Sequence, residues 1–462
     1  MLLRLACCAL LLLAGCDTQI LQPKSQLEKV QKRGVLQVTT FAGATTSVWE
    51  NNALTGFEYE LAKAFAVYLG VKLDLTLPDK YSEITQYVID GKSDIALGLI
   101  KTQSSDQLFN FGPEYHSTSL QLIYRKHQPS PLDYAQLEHP IDIIPDTAII
   151  DYFNNVQQDY PELTLVVHEG LTPSQLIEML WDDVITYTVT DSNTLAMMQR
   201  YYPDLRVAKS LIVNQPLAWL FPAGKDLSLV HKAENFFNQI RNNGFLDEIT
   251  HRYYGHAAEF DYVDNKRFRR HINQRLVKYY DYFVEAGQQT EIDWQLLAAI
   301  GYQESHWNPK AKSPTGVRGI MMLTQTTMKH LGIKESRLNP QASIKGGALY
   351  FKQMLKRIPE RITEPDRSWF ALAAYNIGFG HLNDARVLAE KDNANPDKWV
   401  QVKNYLPLLE QKKWYQQTRY GRARGHEAIQ FVEHIRNYYD IMRWVSVQQP
   451  IVASKDTLLK VD

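Results

Sequence analysis

One glutamate, Glu304, stands where its neighbours predict an apolar side chain. The run from Asp293 to Ser305 predicts a helix with Asp293 as its N-cap. Leu297, Ile300 and Glu304 fall at i, i+3 and i+7, on one face. A carboxylate on an apolar stripe has two explanations. It can be a buried acid paired with a cation, for which Arg318 is available. It can instead be a carboxyl kept partly desolvated, so that its pKa rises and it can donate a proton near neutrality. Glycosidic cleavage needs such an acid, because the leaving oxygen must be protonated. Taken alone, the helix favours the ion pair. Two further groups follow Glu304-Ser305 along the chain: Gly319-Ile320-Met321-Met322, then Ala374-Tyr375-Asn376-Ile377-Gly378. Singly, Tyr375 reads as a core aromatic and Asn376 as a cap. No second acid is tied to these groups, although ordinary glycosidases use two. No cluster of metal ligands is evident, and no cofactor is expected.

The elements that must position these residues change character along the chain. Val35–Thr39, Val71–Leu77, Asp94–Leu99, Ile141–Ile144, Leu163–His168, Val184–Val189 and Leu217–Phe221 predict strands. Helices are predicted between them, at Tyr59–Leu69 before Gly70, at Ile84–Ile89, and at Leu227–Tyr254. Such alternation implies a largely parallel α/β sheet. From about Phe260 the alternation stops, and the remainder to Trp444 predicts helices and loops only. The fold class expected is therefore multidomain, α/β followed by all-α.

Composition sets the partners and the compartment. The chain has 462 residues, 50 basic against 51 acidic, a formal net charge of −1. That balance gives no reason to expect nucleic acid as a partner, although Arg419 to Arg424 is locally basic. Cys7, Cys8 and Cys16 are the three cysteines, so the rest of the chain can form no internal disulfide. Arg4 and an apolar run up to Gly15 predict a secretory signal too short to span a bilayer. Leu13-Ala14-Gly15-Cys16 resembles a bacterial lipobox, which implies cleavage before Cys16 and its lipidation. The domain expectation is signal 1–15, tether 16–32, an α/β domain 33–258, an all-α domain 269–446 and a tail 447–462.

Two resemblances sharpen this. Residues 34 to about 255 resemble periplasmic solute-binding proteins of the amino-acid type, through Thr55-Gly56-Phe57-Glu58-Tyr59-Glu60-Leu61-Ala62, Gly91-Lys92-Ser93-Asp94-Ile95-Ala96, Phe111-Gly112-Pro113-Glu114-Tyr115 and Asn243-Gly244-Phe245-Leu246 before Tyr253-Tyr254-Gly255. That implies a two-lobed periplasmic binding protein fold, with crossovers near Tyr124-Arg125-Lys126 and Gln215-Pro216-Leu217, and Glu58, Thr102 and Asp191 as ligand candidates. The family's carboxylate-binding arginine is absent: three residues after Thr102 stands Ser105. Asp191 matches the amine-binding position. A cell-wall peptide bearing a free amine fits this half-clamp; a vestigial cleft serving as a spacer is the alternative.

The ordered trio Glu304-Ser305, Gly319 to Met322 and Ala374 to Gly378 resembles the soluble lytic transglycosylase domain, of goose-type lysozyme-like fold. The resemblance implies Glu304 as general acid and then general base. Ser305 would orient it, Gly319, Met321 and Met322 would line the cleft, and Tyr375 and Asn376 would place the sugar. Met322 stands where the family has glutamine, and Gln325 where it often has proline. The implied substrate is the peptidoglycan strand, cut between N-acetylmuramic acid and N-acetylglucosamine to leave a 1,6-anhydro end. The family implies an outer-membrane lipoprotein facing the periplasm, whereas Asp17 after Cys16 leans to the inner membrane. Two other readings are a ligand receptor with an inert glycan-binding domain and a muramidase that uses water.

Overall fold

The computed structural model describes residues 24–448 except 44, 51–52, 103–104, 106, 132, 256–261 and 314–315. The expected signal, Cys16 and the tail beyond 448 lie outside the described residues.

The N-terminal half is built on one eight-stranded sheet in the order β4-β1-β5-β10-β6-β9-β7-β8. Its strands are β1 (Val35–Thr39), β4 (Lys72–Thr76), β5 (Ile95–Ala96), β6 (Phe109–Arg125), β7 (Ile141–Ile143), β8 (Leu165–Val167), β9 (Tyr187–Asp191) and β10 (Leu205–Pro222). β2 (Val48–Glu50) and β3 (Ala53–Thr55) form a separate hairpin. β1 runs parallel to β4 and β5, and β7 runs parallel to β8 and β9. Between these two parallel sets lie β6 and β10, long and antiparallel to each other. Two cores result. One gathers Leu36, Phe57, Phe65, Trp219 and Phe237, and the other Leu122, Ile141, Phe153, Tyr187 and Leu205. The fold is thus two-lobed and α/β, followed by a helical domain.

The structure corrects several sequence expectations. Tyr115 belongs to the first core and Leu120 to the second, so the first crossover falls near Thr118 and not at Tyr124-Arg125-Lys126. Its strand, β6, escaped notice because Gly112-Pro113 interrupts the apolar alternation. The tether expected to run to residue 32 ends sooner. Gln26–Arg33 is a helix with a Ser25/Glu28 capping box, its Val30 is buried, and its first N–H groups donate to Asp226 and Ser228. The helix expected over Leu227–Tyr254 breaks at Gly244 (φ 75°) into Ser228–Asn242 and Phe245–Thr250.

The C-terminal domain packs around the helix Trp294–Ser305, in which every residue from Leu296 to Tyr302 is buried. Tyr280–Thr290, Pro340–Arg357 and Gly425–Gln448 pack against it, and Asp366–Ile377 packs on the last two. Gly425–Gln448 also reaches the second lobe. Trp444 stacks on Tyr201 at 4.7 Å and meets the edge of Tyr202 at 5.3 Å, with the Arg269 guanidinium 5.5 Å from its ring. Arg200 of the lobe pairs with Asp440 at 3.3 Å, and Glu248 pairs with Lys398 at 2.9 Å. The two domains therefore share an aromatic contact ringed by ion pairs. Trp444→Ala removes the aromatic part and is expected to cost about 1–3 kcal/mol. Calorimetry should show a lower first transition and a wider separation between the two domains' unfolding; an unaltered profile would mean the contact does not couple them.

Candidate active site

Glu304 sits in the last turn of Trp294–Ser305, and the chain then leaves the helix abruptly. His306 (φ 51°) and Trp307 (φ 55°) both adopt left-handed backbone, which costs a non-glycine residue roughly 1–3 kcal/mol. Burial of Trp307 offsets that strain, and its indole N–H donates to the Ala298 carbonyl at 2.8 Å. The sharp exit leaves Glu304 only partly exposed at the rim of the helical core. Among the described residues its carboxyl has no ion-pair or hydrogen-bond partner. The Arg318 expectation therefore fails: among the described residues no ion pair joins it to Glu304, and its buried Nε finds no acceptor. With no cation to compensate it, desolvation pushes the Glu304 carboxyl up to about 8. The partial negative charge of the helix C-terminus acts in the same direction.

The turn Gly319–Met322 is held from three sides. Ser305 Oγ donates to the Ile320 carbonyl at 2.8 Å, Tyr375 donates its hydroxyl to the Met321 carbonyl at 3.2 Å, and the Met321 N–H donates to buried Ser343 at 3.1 Å. Gly319 (φ 88°) packs so closely on the Arg337 carbonyl that a Cβ there would overlap it. Met322, at φ 47°, is a strained left-handed residue at the surface end of this turn.

These contacts sort the expected site residues. Glu304 and Tyr375 come together: burial first, and then the Glu304 charge, holds the Tyr375 hydroxyl well above its ordinary value. Tyr375 also stacks on Phe431 at 6.1 Å and meets Tyr350 edge-on at 5.0 Å. Asn376 is exposed and does not cap the helix, whose end falls to Gly378. Ser305 is engaged with backbone carbonyls, so it positions the turn and does not touch the carboxyl. Met321 is fully buried, against Gly301 and Gly347, so its side chain forms core and not cleft wall. Ser343 and Phe431 carried no sequence signal, because a serine or a phenylalanine inside an apolar helix is ordinary core.

The cleft between the N-terminal lobes has a cavity of about 40 Å³. Glu58 and Asp191 line it, together with Asp146, Tyr81 and Tyr254, which the sequence did not single out. Glu58 is buried, accepts from Tyr115 at 2.5 Å and from Trp219 at 3.3 Å, and burial pushes it up to about 7. Asp191 caps the helix Ser192–Met198. Thr102 does not line the cavity: it hydrogen-bonds with Ser105, the residue standing where the family has arginine. Tyr81 of the first lobe donates to Asp146 of the second at 2.8 Å and bridges the cleft.

The chain's likenesses agree with this architecture. Residues 39–256 match the family model for bacterial extracellular solute-binding proteins, family 3, and residues 281–399 match that for the transglycosylase SLT domain. A desolvated lone glutamate in a helical transglycosylase domain, fused behind a two-lobed binding domain, defines a bimodular transglycosylase. Membrane-bound lytic murein transglycosylase F 1 of Alkalilimnicola ehrlichii is 42% identical over 92% of this chain and 86% of its own length. Membrane-bound lytic murein transglycosylase F of Shewanella loihica is 42% identical over 95% and 91%. The chain belongs to the membrane-bound lytic murein transglycosylase F family, and it is an enzyme. A solved ancestral amino acid-binding protein, AncCDT-1, is 22% identical over 50% of this chain and 100% of its own, with a TM-score of 0.43.

The raised pKa of Glu304 has a consequence for stability. The folded chain keeps a proton on Glu304 at pH values where the unfolded chain, with an ordinary value of 4.5, has lost it. Stability is therefore lost as pH rises from about 4.5 to about 8. Glu304→Gln should melt higher than the wild type at pH 9, with the gap closing towards pH 4. Equal melting at both would show that the carboxyl is solvated.

Proposed function

We propose that the chain cuts peptidoglycan glycan strands by lytic transglycosylation, with Glu304 as its single acid and base. The carrying observation is one carboxyl, desolvated to about 8 and free of any cation among the described residues. A carboxyl in that state is protonated at neutral pH and can protonate the glycosidic oxygen between N-acetylmuramic acid and N-acetylglucosamine. The C1–O bond breaks, and the sugar's own acetamido group stabilises the cation. The carboxylate that results then takes the proton of the C6 hydroxyl, whose oxygen closes on C1. Glu304 regains its starting proton, and no water enters. The intramolecular nucleophile gains from its high effective concentration, which is why one carboxyl suffices where a hydrolase needs two. The exposed Asn376 amide and the Met322 end of the turn are the candidate sugar contacts.

We further infer an anchor through lipidated Cys16, at the periplasmic face of the outer membrane. The relatives' name supports membrane association, and no described helix is long and apolar enough to cross a membrane. The N-terminal cleft is read as a sensor for a wall peptide offering an amine. Glu58, Asp146 and Asp191 line it, and among the described residues no arginine or lysine does. At about 40 Å³ it holds water only, so a peptide enters by lobe opening.

Digestion of purified peptidoglycan tests the reaction. The wild type should release muropeptides one water lighter than hydrolysis products, and Glu304→Gln should lose activity by at least about 100-fold. Reducing ends would indicate a muramidase, and equal output from both proteins would remove Glu304 from the chemistry. Turnover should fall as pH rises through about 8, because the acid must begin protonated.

A further inference from the structure

Past Tyr375 and Asn376 the chain turns at Gly378 (φ 87°) and restarts as the helix Phe379–Lys391. Two aromatic rings flank this turn, and each carries a guanidinium. Arg357 lies 4.2 Å from the centre of the Phe379 ring, and Arg419 lies 5.5 Å from that of Tyr420. Tyr420 packs against Gly380, where a Cβ would strike its ring at 2.8–2.9 Å. The loop that presents it is fixed from below: the N–H groups of Arg419 and Tyr420 donate to buried Asp384 at 3.1 and 2.8 Å. Even so, Tyr420 is 52% exposed, and among the described residues neither Arg357 nor Arg419 pairs with a carboxylate. A solvated charge run needs no buried aspartate to hold its backbone and no glycine cut to the shape of its ring. The edge also touches the site: Arg357 is near enough to Tyr350 to act on its hydroxyl, and Tyr350 packs on Tyr375.

We propose that this cation–aromatic edge holds the free carboxylates of peptides attached to the glycan strand being cut. The inference rests on the function proposed above. Guanidiniums grip carboxylates through two parallel hydrogen bonds, and the exposed Tyr420 face offers an apolar platform beside them. An uncut strand bearing such peptides is thereby preferred to one stripped of them.

The test uses the full chain with Arg357→Glu/Arg419→Glu and, separately, Tyr420→Ala. Two substrates are compared: peptide-bearing strands and the same strands after enzymatic removal of the peptides. The charge-reversed variant should raise KM on peptide-bearing strands about tenfold with kcat unchanged. It should leave turnover of peptide-free strands as in the wild type. Added salt should weaken the wild type on the first substrate alone. Equal losses on both substrates would overturn the proposal, as would no change on either. So would unchanged KM together with lost binding to phosphatidylglycerol vesicles, which would assign the edge to a membrane. Binding of the same substitutions to both immobilised strands, in a Glu304→Gln background, reads the edge without turnover. A wild type that yields no anhydro ends while that binding difference persists would strike the reaction and spare the edge.

Discussion

The catalytic half is organised around keeping one carboxyl away from water and away from cations. That constraint explains the wholly buried run Leu296–Tyr302, which forms a dry wall behind Glu304. It explains why the helix must end within two residues of it, at the strained His306-Trp307 pair, since another helical turn would cover the carboxyl. It also explains the weight of polar support given to the neighbouring turn. Three hydrogen bonds converge on Ile320 and Met321, and none is spent on the carboxyl itself. The scaffold fixes the surroundings of the acid and leaves its proton free to move.

Much of this was legible in the residues. Glu304 announced itself by breaking an apolar stripe, and Tyr375 and Asn376 by recurring in order with it. The division into α/β and all-α halves followed from the change in periodicity. Other features were illegible for physical reasons. The burial of Met321 depends on two glycines, Gly301 and Gly347, supplied by different helices, and no local pattern records that meeting. Strand β6 was masked by Gly112-Pro113, because a proline there still permits pairing where its missing N–H is not needed. The ion pair with Arg318 was a fair inference from one helix, but pairing depends on where a loop fourteen residues further on places its guanidinium.

The binding domain shows a different economy of charge. The family's arginine is replaced by Ser105, whose hydroxyl turns back to Thr102 and closes a small local loop. What remains in the cleft is acidic, with Glu58 pushed up to about 7 by burial and Asp146 also pushed up by burial, although three hydrogen bonds oppose the shift. The same lobe that carries Asp146 and Asp191 carries Tyr201 and Tyr202, which grip Trp444 on the long helix packed against Trp294–Ser305. Cleft and carboxyl are thus joined through one rigid element.

The early helix Gln26–Arg33 alters the geometry of the working enzyme. Its Ser25/Glu28 capping box and its bonds to Asp226 and Ser228 make the chain part of the folded body from Ser25 onward. The first lobe therefore hands its N-terminal end outward at one fixed place on its surface, and a capping box decides where on the enzyme anything upstream must attach.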